Sequence, residues 1–98
     1  MIYHITSLKD WEIQKEKTEF TPSDYYREGF IHCCTFDQVK GVLERYFKGK
    51  TDLMLLHIEE AKLKAELKYE PSFNNEKFPH IYGMINKNAI VEISVLAS

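Results

Sequence analysis

The stretch Gly29-Phe30-Ile31-His32-Cys33-Cys34-Thr35 sets the tightest condition on how this chain can fold. Its apolar and aromatic residues read as a short buried strand that carries a histidine and two thiols. Thr35 followed three positions later by Gln38 is a capping-box pattern, in which the threonine hydroxyl accepts from a backbone N–H of the first helical turn. Strand end, histidine and helix start therefore meet at one point. The unpaired N–H groups and partial positive charge of a helix N-terminus suit an anion, so a ligand site is expected there.

Strands and helices interleave along the rest of the chain. Ile2 to Thr6 alternates as a first strand, with Tyr3 and Ile5 on one face and Ile2, His4 and Thr6 on the other. Ser7 with Asp10 is a second cap, opening a helix from Leu8 to about Lys17 with Trp11 on its inner side. Glu19 to Glu28 reads as loop. Val39, Val42, Leu43, Tyr46 and Phe47 fall at the spacing of one buried helical stripe, so a helix is predicted from Phe36 to Phe47, stopped by Lys48-Gly49-Lys50. Leu53-Met54-Leu55-Leu56 is apolar on both strand faces and calls for cover on each. A helical turn at Ala61 to Leu63, a strand from Leu67 to Glu70, a polar loop from Ser72 to Lys77 with Asn74-Asn75 at its tip, an extended Phe78 to Gly83 and a strand from Ile90 to Leu96 complete the order. This is the signature of one α+β domain over residues 1–98.

Thirteen basic and fifteen acidic residues are dispersed along the chain, with no basic tract to neutralise a phosphate backbone, which argues against general nucleic-acid binding. No apolar run approaches the roughly 20 residues a membrane helix needs. Met1-Ile2-Tyr3-His4 lacks the charged-then-apolar layout of a secretion signal. Adjacent Cys33 and Cys34 close no loop, and reduced thiols in a cytoplasmic protein are expected.

His4, His32 and His80 all lie in aromatic-rich strand segments. Each alone is the profile of a structural histidine; three in a small domain point to a site, because a polar cluster costs stability unless it is satisfied or used. A zinc site from His32, Cys33, Cys34 and His80 is disfavoured, since neighbours on a strand point to opposite faces and no Cys-x-x-Cys pair exists. A cysteine nucleophile activated near the helix start is an alternative, with inert core thiols as the default. Glu70, between Tyr69 and Pro71 at a strand end, is the carboxylate singled out, and Arg27 in its loop is placed to meet a phosphate.

Tyr3-His4-Ile5-Thr6, Glu28-Gly29-Phe30-Ile31-His32-Cys33, Asp52 to Ile58, Tyr69-Glu70 and Phe78-Pro79-His80-Ile81-Tyr82-Gly83 together resemble the domain of unknown function 952 family, over nearly the whole chain. That family is grouped with the ADP-ribosyltransferase-like superfamily. The resemblance implies a compact fold with a split mixed β-sheet and two main helices around a cleft for NAD, the expected substrate, or a related ADP-ribose nucleotide. It implies transfer or hydrolysis of ADP-ribose, with a non-catalytic ligand-binding or interaction module of the same fold as the alternative. Glu70, His32 and His80 are then the catalytic candidates, and His4, Thr6, Arg27, Thr35 and Tyr82 the cofactor-binding ones. In that arrangement His4 bonds a ribose hydroxyl, Tyr82 or Tyr69 stacks on nicotinamide, and Arg27 with the helix start at Thr35 holds the pyrophosphate; no metal is implied. Cys34, Tyr69 and Met84 depart from the family pattern, where serine, tryptophan and proline are usual, which leaves the hydroxyl contact at the helix start to Thr35.

Overall fold

The apolar run of the middle strand needs cover on two sides, and the architecture is the way it gets it. A computed structural model describes residues 1–96. Strand β4 (Leu53–Ile58) lies between β1 (Ile2–Ser7) and β8 (Ile90–Leu96) in one three-stranded sheet. One face of that sheet carries Ile5, Leu53 and Leu55 beneath helix α3 (Val39–Tyr46), which contributes Val39, Val42 and Leu43. The opposite face carries Ile2, Leu56 and Ile58 into the main core. There they share a cluster with Ile31 of β3 (Ile31–His32) and Ile81 of β6 (Lys77–Tyr82). Those two strands belong to a second sheet, ordered β3-β6-β5, with β5 spanning Glu66–Pro71. A short pair, β2 (Glu19–Phe20) and β7 (Ile85–Asn86), plugs the same core with Phe20 and Ile85.

Every strand pairing is antiparallel, which corrects the expected mixed sheet. Parallel neighbours need a crossover of a dozen or more residues, whereas β5 and β6 are joined through residues 72–76 alone. Asn74 and Asn75 turn that connection with φ of 54° and 63°, as expected of its tip. The radius of gyration, 12.6 Å, matches the roughly 13 Å of one domain this long.

The helices differ from the residue pattern where side chains compete for the backbone. Helix α1 (Leu8–Ile13) begins at Ser7, whose Oγ accepts from the Asp10 N–H at 3.0 Å, but it ends well before Lys17. Gln14 stops it: its buried amide accepts from Thr21 N–H at 2.8 Å and donates to Thr21 O at 2.7 Å, standing in for a strand rung. The expected loop 19–28 contains β2 and a single helical turn, α2 (Tyr25–Glu28), closed by Gly29 in the left-handed conformation at φ 83°. The helix predicted from Phe36 opens instead as a 3-10 turn, Phe36–Gln38, and Tyr46 is exposed rather than part of the buried stripe. Gln38 causes the tightening. Its Oε1 accepts from Thr35 N–H at 2.9 Å, while its Nε2 donates to Glu76 Oε2 at 3.0 Å and Lys77 O at 2.8 Å.

The two large sheets are also joined directly. Tyr3 N–H donates to Cys34 O and Cys34 N–H donates to Tyr3 O, both at 2.8 Å. This isolated rung brings β1 alongside the end of β3.

Leu56 is wholly buried, so Leu56→Ala should destabilise the domain by about 2–5 kcal/mol, through lost burial and the cavity left behind. Val95→Ala, at a side chain 80% exposed, should change stability by less than about 0.5 kcal/mol. Urea unfolding followed by circular dichroism measures both.

Candidate functional site

Where β1 and β3 are sewn together, a cavity of about 400 Å³ opens. His4 reaches it from β1, Phe30 and His32 from the β3 segment, Tyr25 and Arg27 from α2, and Phe78 from β6. Tyr46, Phe47 and Lys50 line it from the end of α3 and the segment beyond. Flat rings thus surround two imidazoles and one guanidinium, the mix of apolar wall and few polar groups typical of small-molecule sites.

His4 is buried, and its Nδ1 lies 2.6 Å from the carbonyl oxygen of His32. A carbonyl only accepts, so Nδ1 carries the proton and Nε2 keeps a lone pair. Burial drives the imidazole from 6.5 down to about 4, the backbone bond opposing only in part, so the ring is neutral at physiological pH. His32 is half exposed, with Nε2 3.9 Å from Glu28 Oε1. Its own basicity is lowered, first by burial, against the pull of Glu28.

Strand alternation puts a second group of polar side chains on the outward face of the β3-β6-β5 sheet. His32 and His80 are direct cross-strand partners there, with ring centroids 5.4 Å apart and edge-on. His80 is 5% exposed and its Nδ1 donates to Glu70 Oε1 at 2.8 Å. Tyr82 donates its hydroxyl to the same Glu70 oxygen. The two bonds, Tyr82 first, hold the Glu70 carboxyl below its ordinary range, and the same contact raises the Tyr82 phenol. Glu70 is thus an ionised acceptor. The other nitrogen of His80, Nε2, is buried and has no hydrogen-bond partner among the described residues, an arrangement that costs about 1–3 kcal/mol for a polar atom. Phe30 stacks on the His80 ring at 4.1 Å and 25°.

The expected site residues therefore fall into distinct places. His4, His32 and Arg27 line the cavity, and Arg27 lies 3.3 Å from Asp24 and 3.4 Å from Glu28 through the same Nη2. Glu70, His80 and Tyr82 form a hydrogen-bonded group beside it, behind Phe30. Thr6 is buried in β1 opposite Met54 and is not part of the cavity lining. Thr35 caps the 3-10 turn, also away from the lining, and the first turn it caps is closed by Gln38. Cys33 and Cys34 are walls of the cavity, but burial pushes the first thiol well up and the second to about 11, so neither is a ready thiolate nucleophile. Among the described residues no set of three His, Cys, Asp or Glu side chains is placed to hold a metal ion. Tyr25, Phe30 and Phe78 were not singled out from the sequence. Phe30 had a legible signal, since it stands two residues before His32 and so on the same side of the strand.

Fold and site together define a small antiparallel α+β domain with a histidine- and aromatic-lined cleft. The chain belongs to the family described as "Protein of unknown function (DUF952)", whose model matches residues 5–93. It is similar to the X-ray crystal structure of protein CC0527 from Caulobacter crescentus, at 29% identity and a TM-score of 0.89, covering 98% of this chain and 85% of that one. The solution NMR structure of CC0527 is similar at 29% identity and a TM-score of 0.83, covering 97% of this chain and 83% of that one. A double mutant of CC0527 in crystal form gives 28% identity and a TM-score of 0.89, over 98% and 85% of the two chains. No curated protein matches the sequence.

The depressed basicity of His4 makes stability depend on pH. Between pH 6.5 and about 4 the unfolded chain holds the extra proton, so stability rises with pH: the contribution is complete above 6.5 and lost by about 4. The loss should be on the order of 3 kcal/mol, with His32 adding to it in the same direction. Urea unfolding across this window should show His4→Gln with a visibly flatter slope than the wild type. An unchanged slope would assign the effect elsewhere.

Proposed function

We propose that this domain is ADP-ribosyltransferase-like and binds NAD or a related ADP-ribose nucleotide in the cavity, where it transfers or hydrolyses the ADP-ribosyl group. The observation that carries the reading is the convergence of His4, His32 and Arg27 among flat aromatic rings in a cavity of about 400 Å³. Each wall group has a counterpart in such a ligand. The rings of Tyr25, Phe30 and Phe78 offer stacking faces to a base. Nε2 of neutral His4 accepts from a ribose hydroxyl. Arg27, exposed and within reach of two carboxylates, exchanges those partners for a pyrophosphate, which it can bind through paired N–H groups. Breaking the bond between ribose and nicotinamide develops oxocarbenium charge, and the ionised Glu70 is the carboxylate that counters it once a ligand reaches past Phe30.

One observation favours the alternative, a binding module without turnover. Both hydrogen bonds seen at Glu70 Oε1 come from its own neighbours, His80 and Tyr82, and Glu70 is not itself part of the cavity wall. Glu70→Gln separates the two readings, because an enzyme loses turnover while keeping nucleotide affinity within about threefold, and a module has no turnover to lose.

Calorimetric titration with NAD, ADP-ribose and a 2′-phosphorylated nucleotide tests the binding itself. Arg27→Ala should weaken ADP-ribose by about tenfold or more, the size of one charge-assisted contact. Failure of all three ligands to bind the wild-type protein would remove the proposal.

A further inference from the structure

His80 is built as a proton acceptor and then covered. Glu70 accepts from Nδ1 at 2.8 Å, so in the neutral ring the lone pair resides on Nε2. That atom is buried with no partner among the described residues, although the side chain as a whole sits on the outward face of its sheet. A histidine retained for packing alone has both nitrogens bonded or one in water. Phe30 lies over one face of the His80 ring, stacked at 4.1 Å and 25°, and it is also a wall of the cavity that His80 does not line, so the phenyl ring stands between the two. His32 lies against both rings, tilted at 4.7 Å from Phe30 and edge-on at 5.4 Å from His80. Phe30 lies outside the strand ladder: β3 starts one residue later, and Gly29 before it has φ of 83° with open space where a Cβ would stand.

We propose that Phe30 is a gate between the cavity and His80: a planar ring of the ligand displaces the phenyl group, and His80 Nε2 then accepts the proton of a water or alcohol brought in beside it. The O–H bond breaks as the Nε2–H bond forms, and the Glu70 carboxylate balances the resulting imidazolium. The oxygen's electron pair forms the new bond to the electrophilic carbon of the ligand, whose leaving group departs with the pair of the bond that breaks. His80 is the catalytic residue in this step and Glu70 a positioning residue that keeps the proton on Nδ1. The inference rests on the cavity being a ligand site and deepens that reading by naming a hydroxyl nucleophile and its base.

Diethyl pyrocarbonate, which acylates accessible unprotonated imidazoles, tests the covered base without any ligand when its products are mapped by mass spectrometry. In the wild type His80 should react at least tenfold more slowly than His32. Phe30→Ala should raise the His80 rate at least tenfold and leave His32 within twofold; Phe30→Leu, which preserves more packing, should give an intermediate gain. Adding Glu70→Gln to Phe30→Ala should lower the His80 rate again, by several fold, whereas exposure alone would leave it unchanged. A His80 that reacts like His32 in the wild type, or gains nothing in either Phe30 variant, overturns the gate. The second measurement is nitrogen NMR of the His80 ring during titration with ADP-ribose, where the Nε2 signal should move as it acquires a partner. Binding seen by calorimetry with that signal unmoved overturns the gate and leaves the nucleotide reading standing. No binding, with the acylation pattern as expected, removes the nucleotide reading and leaves the covered base for a ligand of other chemistry.

Discussion

Two backbone hydrogen bonds between Tyr3 and Cys34 decide how the halves of this domain meet. Each large sheet is internally complete, and the apolar residues between them would tolerate a range of sliding positions, because hydrophobic contact is non-directional. Hydrogen bonds are not, and a reciprocal pair at 2.8 Å sets both distance and register. The rung holds β1 beside the end of β3, and the bond from His4 to the His32 carbonyl lies next to it. Loss of that alignment would separate the two imidazoles that share the cavity, even if both sheets stayed folded.

Polar side chains finish what the apolar core leaves loose. Gln14 behaves as a missing strand rung toward Thr21, and Gln38 joins the 3-10 turn to the start of β6. Both amides are buried, and both have their oxygen and nitrogen satisfied, the condition under which a buried polar group gives specificity rather than a penalty. His80 departs from this pattern. Its neighbours satisfy one nitrogen and leave the other without a partner among the described residues, and the departure sits behind Phe30, one ring away from the cavity, close to where strain and unmet bonding are most often put to use.

Electrostatics sorts the three strand histidines into different roles. His4 is deep enough that burial outweighs its hydrogen bond and keeps it neutral. His32 shares solvent with Glu28, and His80 is tied to an ionised carboxylate. Similar residue settings in the sequence become unlike environments because a strand's two faces, and the two ends of one face, meet different neighbours.

Much was readable from residue order alone. The apolar run Leu53–Leu56 demanded cover on both sides, Ser7 with Asp10 announced a helix start, and period-two alternation placed Ile2 and His4 opposite Tyr3 and Ile5; these are local rules set by backbone geometry and solvent. Where α1 stops, why α3 begins as a 3-10 turn, and why every strand pair is antiparallel were not readable. They depend on Thr21, Glu76 and Lys77 and on which strands meet across long stretches of sequence, as β1 meets β4 and β4 meets β8, and those neighbours exist only in the folded chain. The same division runs through the site. Its imidazoles, acid and guanidinium were visible as residue types in suggestive segments, but the separation of Glu70, His80 and Tyr82 from the cavity by one phenyl ring exists only in three dimensions, since stacking and burial are properties of neighbours that the sequence sets far apart.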